Sequence, residues 1–347
     1  MAVGLKSLAE ECGVAQGTVS NILASRGAYS EETVKRVRAA AQKLGYVPSR
    51  IATSLRDRSS SAVGVLMSNL TDPYFAELLD ALGRALAEQN WDVMVNLSTL
   101  KPNEDVLESY RSFLSWRLSG FLISADALRN VPLPPDLLQV IRSTVVVTLN
   151  SNPWEQCPAI YPDRAHHAVL ALDHLTGLGH RRIGMLAYTE DPNHYKAIAF
   201  RNAMAERGLE LRPQDVWHVP AVRPAADADL SNPAFEVGRR FAASTDRPTA
   251  MVTWTDSSAT AFVSGFMSGG GRVPEDLSVV AYNNTRLAAT AAVPLTVVGV
   301  PMGKFAKATV DLMSSELLSR KNRETHAPTQ VKLMPELVVR RSSGPRS

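Results

Sequence analysis

Cysteine is scarce: the chain has two in 347 residues, Cys12 and Cys157, too few for a disulfide framework. No run of about 18 apolar residues occurs, so no membrane-spanning helix is expected. The opening Met1-Ala2-Val3-Gly4 leads into a stretch already bearing Glu10 and Glu11, unlike a secretory leader. These absences set the expectation of a soluble, cytoplasmic protein. Catalytic signatures are missing too. There is no Gly-x-Ser-x-Gly, no phosphate-cradling glycine loop, and no Gly-x-Gly-x-x-Gly after a strand. Gly269-Gly270-Gly271 follows a helical stretch and reads as a connecting loop. Asp163, His166, His167, Asp173 and His174 invite a metal reading, but their spacing supplies no second ligand cluster, so these histidines read as solvated or capping. No enzyme, cofactor or metal is expected. What is present is a 45% hydrophobic composition, enough to bury the cores of two or three domains.

Net charge is only +3, but it is unevenly placed. Residues 1–60 carry nine Lys/Arg against five Asp/Glu, which leaves the rest of the chain slightly acidic. A basic head on a near-neutral body is the footprint of a nucleic-acid binder, although a solvated surface could also carry it. Within the head, Leu5, Leu8, Ala9 and Cys12 share one helical face. Gly13 can take the positive φ that ends a helix, and Val14 turns back into the core. A second helix over Ala15–Leu23 would bury Val19, Ile22 and Leu23 and present Gln16, Gly17, Ser20 and Asn21. Two short helices joined by a glycine turn, the second with a polar face, make a helix-turn-helix.

A third helix starts at Ser30 as N-cap, with Thr33 at N3 and Glu31 and Glu32 suiting the positive end of the dipole. Val34, Val37, Ala41 and Leu44 form its stripe, and Gly45 ends it. The motifs Gly13-Val14, Thr18-Val19-Ser20, Leu23, Ser30-Glu31-Glu32-Thr33, Leu44-Gly45-Tyr46-Val47-Pro48 and Ala52 to Leu55-Arg56 occur in this order. Together they resemble the headpiece of the lactose-repressor (LacI/GalR-type) transcription regulators. The resemblance implies that Gln16, Gly17 and Asn21 reach base edges. Gln and Asn can each pair two-pronged with adenine, while Thr18 and Ser20 suit phosphates. It also implies that residues 48–61 form a hinge that becomes helical on the operator. There Arg50, Ala52, Leu55 and Arg56 would touch DNA, with Leu55 as the wedge in the minor groove.

From Ala62 onward strands and amphipathic helices alternate, which indicates parallel sheets covered on both faces. Strands are expected at Ala62–Met67, Trp91–Leu97, Gly120–Ile123, Val145–Leu149, Arg182–Leu186, Val216–Val219, Ala250–Trp254, Val279–Tyr282, Val297–Val300 and Leu337–Val339. Among the intervening helices, one is expected over Val106–Leu118 and one over Met302–Ser319. The fold class is therefore an all-α helix-turn-helix headpiece plus an α/β core of two doubly wound parallel-sheet lobes. By resemblance the core is similar to a periplasmic binding protein whose chain crosses between lobes three times. The expected domains are a headpiece at 1–47, a hinge at 48–61 and a core at 62–347. Its first lobe takes about 62–161 and 294–329, its second about 162–293 and 330–341. Crossings are placed near Tyr161, Pro294 and Gln330.

Ligands in such sheets bind at the carboxyl ends of strands. That rule selects Tyr74, Phe75, Ser124, Asn150, Thr255, Asp256 and Asn283 as effector candidates, with Lys196 on a neighbouring helix. Tyr74 and Phe75 could stack on a ring or simply pack a helix start. The family's usual arginine and acidic pair are replaced here by Lys196 and Asn283-Asn284. A sugar or sugar derivative is expected, and the less negative cleft with Lys196 could favour an acidic or phosphorylated one. One headpiece reads a half-site, so a homodimer on a palindromic double-stranded operator follows. The expected role is that of an allosteric, nucleoid-associated repressor. Arg341–Ser347 has no heptad tail for a coiled-coil tetramer. A periplasmic-type sugar receptor without a DNA role is the rival reading.

Overall fold

The computed structural model describes residues 4–24, 26–46, 62–67, 70–97, 112–113, 115–116, 118–124, 144–150, 156–188, 190–220, 233–324 and 326–346. The hinge at 48–61, with Arg50, Ala52, Leu55 and Arg56, lies outside them, as does most of the helix expected over Val106–Leu118.

The amino-terminal unit contains α1 (Leu5–Cys12), α2 (Gln16–Leu23) and α3 (Glu31–Lys43). Gly13 ends α1 at φ 63, and Val14 N–H returns to the Ala9 carbonyl at 3.2 Å, closing the turn. Ser30 caps α3 through Thr33 N–H, as its position beside Glu31 and Glu32 requires. Leu8, Ala9, Cys12, Val19, Ile22, Val37, Ala40 and Ala41 close one small core. Cys12 is buried there as a small hydrophobe, and Lys43 reaches Glu11 at 2.9 Å on the surface.

The core unit holds two six-stranded sheets. The first runs β2 (Asp92–Leu97), β1 (Ala62–Met67), β3 (Gly120–Ser124), β4 (Val145–Leu149), β5 (Ala159–Pro162), β11 (Gln330–Leu333), all parallel. The second runs β7 (Val216–His218), β6 (Ile183–Ala187), β8 (Ala250–Thr253), β9 (Ser278–Tyr282), β10 (Thr296–Gly299), β12 (Glu336–Val338). Only β12 is antiparallel. Inner strands such as β3, β4, β6, β8 and β9 are buried along their whole length, as parallel strands under helices must be. In the first lobe α4 (Pro73–Glu88) inserts Leu78, Leu82 and Leu86 against Val63, Val65 and Val147. The second sheet is covered on one face by α5 (Arg164–Gly177) and α6 (Tyr195–Glu206), and on the other by α7 (Pro233–Ala243) and α8 (Asp256–Ser268). A short α9 (Arg286–Thr290) and the long α10 (Met302–Lys321) complete the set.

Two expected crossings fall later than placed. β10 belongs to the second sheet, so the chain leaves it at Val300-Pro301 rather than near Pro294, and α10 then packs on the first sheet through Phe305, Val310 and Met313. β11 pairs with β5 in the first sheet, so the last crossing lies at Met334-Pro335 rather than near Gln330. The strands β5 and β11 are four residues each and lack the apolar run that marked their neighbours, which is why the sequence pattern passed over them. No described helix is long and apolar enough to cross a membrane.

α7 and α8 meet through glycine. A Cβ built on Gly265 would lie 1.9 Å from the Phe235 carbonyl oxygen, and one on Gly238 would lie 2.0 Å from that of Phe262. Both clashes are with backbone, so a methyl group can fit only if the helices separate. Gly265→Ala is expected to destabilise the chain by about 1–3 kcal/mol through overpacking. Thermal unfolding followed by circular dichroism checks this; an unchanged midpoint would show that the two helices can part freely.

Candidate functional site

On the headpiece, α2 presents Gln16 and Gly17 fully to solvent and Thr18, Ser20 and Asn21 in part. Ala15 at the N-cap makes no side-chain cap, so the first N–H groups of α2 keep their positive end for an outside acceptor. A Cβ at Gly17 would meet nothing within 4 Å, so packing does not demand glycine there. Asn21 Nδ2 donates to the Tyr29 hydroxyl at 3.2 Å. Tyr29, an exposed aromatic that sequence reasoning missed, thus orients a candidate reading side chain.

In the core the strand ends converge beside the crossings. Asn150 and Asn283 follow β4 and β9 at φ 73 and 101, left-handed conformations that asparagine tolerates better than most residues. The Tyr74 hydroxyl donates to Asn150 Oδ1 at 2.5 Å, and its ring stands edge-on to Phe75 at 5.3 Å. A crevice is lined by Tyr74, Arg164, His167, Asn283, Met302 and Phe305 among others. Tyr74 and Phe75 are both half-buried and both pack against the first core, and Tyr74 in addition lines the crevice. Ser124 Oγ and Asn150 Nδ2 are buried without a hydrogen-bond partner.

Three other candidates serve the local fold. Thr255 caps α8 through Ser258 N–H at 3.2 Å and also touches the Tyr188 hydroxyl. Asp256 Oδ2 accepts from Thr285 N–H at 2.6 Å and so ties α8 to the loop before α9. Lys196 Nζ donates to the Trp254 carbonyl at 3.3 Å and lies 5.8 Å from the centre of that indole ring. His194 stacks on Trp254 from the other side of the α6 cap.

Sequence reasoning missed Arg164 and misjudged His167. His167 is buried rather than solvated, at 1% exposure, with Nδ1 held 2.8 Å from the Asp163 carbonyl and its ring edge-on to Tyr282. Burial, reinforced by the Arg164 cation, pushes its pKa down to about 3, so the ring is neutral. Arg164 Nη2 donates to the Asn150 carbonyl at 3.4 Å, its guanidinium lies 5.7 Å from the Tyr195 ring centre, and its buried Nε has no hydrogen-bond partner. The signal for both lay in their place just after β5, a strand the apolar pattern did not reveal. Among the described residues no group of three His, Cys, Asp or Glu could hold a metal ion.

Residues 4–49 match the bacterial regulatory proteins of the lacI family, and residues 172–343 match the periplasmic binding protein-like domain. The chain thus carries a lacI-family helix-turn-helix domain and a periplasmic-binding-protein-like domain. Along its whole length the chain is similar to the HTH-type transcriptional repressor PurR of Photobacterium profundum, 28% identical over 97% of this chain and 98% of that one. In fold it is similar to the lac repressor dimer bound to operator and the anti-inducer ONPF, with TM-score 0.79 at 22% identity over 99% and 100% of the two chains. A LacI family regulator from Lactobacillus casei with bound sucrose matches at TM-score 0.65 and 25% identity, over 81% of this chain and 99% of that one. The relatives are transcriptional regulators rather than enzymes.

Asp256 gives the periplasmic-binding-protein-like core a measurable pH signature. Burial raises its carboxyl to about 6 from 3.8, against the Thr285 hydrogen bonds and with the Asp72 charge adding to the rise. A folded-state pKa above the unfolded value favours the protonated acid, so the stabilisation is full below pH 3.8 and is lost as pH rises through about 6. Asp256→Asn keeps an acceptor for Thr285 N–H without the buried charge. Its melting temperature is therefore expected to gain on wild type as pH rises from about 4 to 7, then run parallel above. A gap independent of pH would show that Asp256 does not titrate there.

Proposed function

We propose that this chain is a ligand-responsive repressor that binds a palindromic operator as a homodimer. Its headpiece is assigned to residues 1–47, its hinge to 48–61 and its effector-binding core to 62–347. The observation that carries this reading is the exposed polar face of α2, with Gln16 and Asn21 on it, inside the segment that matches the lacI family. An eight-residue helix with an uncapped positive end and two amide side chains is suited to the major groove. Relatives named as repressors over nearly the whole chain support the role. A solved dimer of similar fold supports the assembly, and the exposed Val95 and Leu97 on edge strand β2 offer apolar surface to a second copy.

The small-molecule effector is assigned to the interlobe crevice, and a carbohydrate-like compound is the class favoured by its amide-rich strand ends. Binding there would change how the lobes meet, and the hinge would pass the change to paired headpieces. Leu55 is assigned the minor-groove wedge, with Arg50, Ala52 and Arg56 beside it. The chain would then act in the cytoplasm, on the nucleoid.

Selection from a random duplex library followed by anisotropy titration tests the assignment. A palindromic sequence is expected to emerge, bound with an affinity that falls steeply as salt rises. Asn21→Ala is expected to lose discrimination at one symmetric base pair by about 1–3 kcal/mol, while Thr18→Ala, at a position suited to phosphate, should weaken all sequences alike. Failure to enrich any duplex would remove the DNA assignment, and an Asn21→Ala protein with unchanged preference would remove that residue's role.

A further inference from the structure

We propose that the crevice recognises a small acid, its carboxylate seated on the Arg164 guanidinium and the Asn150 amide and its adjoining hydroxyl donating to His167 Nε2. This rests on the effector reading above and narrows it to one chemical class.

Arg164 is half-buried, and among the described residues no carboxylate lies within ion-pair distance of it. Among the described residues its Nη2 donates to the Asn150 carbonyl, its guanidinium faces the Tyr195 ring, and its Nε is buried without a hydrogen-bond partner. A guanidinium nitrogen shut off from water without an acceptor is costly, and a carboxylate is the planar acceptor that matches the fork. Asn150 is 3% exposed, and its Oδ1 is taken by the Tyr74 hydroxyl. That bond fixes the amide orientation and leaves Nδ2, which has no partner, as a second donor for the same anion. The backbone link between Asn150 and Arg164 keeps the two donors together.

His167 supplies the complementary polarity. The Asp163 carbonyl can only accept, so Nδ1 must carry the proton, and the neutral ring therefore presents Nε2 as a lone-pair acceptor. No hydrogen bond reaches Nε2 among the described residues. Arg164 and His167 line the crevice and Asn150 adjoins it through its bonds to Tyr74 and Arg164. Two donors and one acceptor so placed suit a carboxylate with a neighbouring hydroxyl, as in hexuronates and aldonates. A neutral sugar would leave the guanidinium uncompensated. A phosphate monoester would bring three oxygens to two donors. The second cation of the region, Lys196, is engaged by the Trp254 carbonyl and indole, so the anion site lies at Arg164 rather than at the lysine singled out from sequence.

Calorimetric titration of the full chain tests the proposal. The probes are D-glucuronate, D-galacturonate and D-gluconate, each beside its uncharged amide, with D-glucose and D-glucose 6-phosphate. At least one acid is expected to bind ten-fold or more tightly than its amide. Arg164→Gln should erase that preference, Arg164→Lys should restore part of it, and His167→Leu should weaken acid and amide alike. Circular dichroism establishes that each variant is folded, and Arg164→Lys guards against a merely structural loss. Acids that bind no better than amides, a phosphate ester that outcompetes them, or a preference that survives Arg164→Gln would overturn the proposal. Binding of neutral sugars alone would do so while leaving the carbohydrate-effector reading intact. No binding by any probe would remove both.

Discussion

Three chain segments join the two sheets of the core, at Pro162-Asp163, Val300-Pro301 and Met334-Pro335, and two of them run side by side. There the Asp163 N–H donates to the Leu333 carbonyl at 2.8 Å, and Lys332 reaches the Asp163 carboxylate at 3.6 Å. This stitching makes β5 and β11 neighbours in one sheet while their continuations enter the other lobe. Everything proposed for the cleft depends on it. Asp163 both bonds Leu333 and caps α5, which carries Arg164 and His167 in its first turn. Val300 and Phe305 close the same crevice from the second crossing.

Around that fixed base, polar contacts among the described residues bridge the lobes. Glu77 on α4 accepts from Arg286 N–H at 2.8 Å, so a first-lobe carboxylate binds the start of α9 in the second. Arg164 spans to Asn150 in the same sense. Contacts of this kind are individually modest, on the order of 1 kcal/mol net, and can be exchanged for ligand contacts without disturbing either core. Two well-packed lobes joined by a stitched hinge and a few replaceable bonds are the arrangement that the proposed effector response requires.

Much of this was legible in the sequence. The Gly13 turn, the Ser30 cap and the apolar stripes of the three short helices depend on local chemistry and lie where the sequence places them. The buried strands and the positions after them were equally plain, because parallel strands under helices read as unbroken apolar runs. Asn150 and Asn283 were reachable by the strand-end rule alone. What stayed hidden was tertiary. β5 and β11 carry too few apolar residues to announce themselves, so the crossings were displaced and the residues after β5 had no strand end to belong to. His167 looked like a surface histidine because Tyr282, the ring it stands against, lies far off in the sequence on β9. Lys196 looked like the anion site because its partner, the Trp254 carbonyl, is 58 residues away in sequence.

The central claim is that the cleft and the DNA-reading helices of one protein are energetically coupled. Linkage gives it a sharp form: if a cleft ligand changes operator affinity by some factor, operator must change ligand affinity by the same factor. The direct measurement is calorimetric titration of whichever acid probe binds the cleft into free protein and into protein saturated with its selected operator. The account predicts dissociation constants that differ by about 5–150-fold, matched by the ligand's effect on operator binding. Equal constants in the two titrations would show that the cleft and the headpiece act independently, and would contradict it.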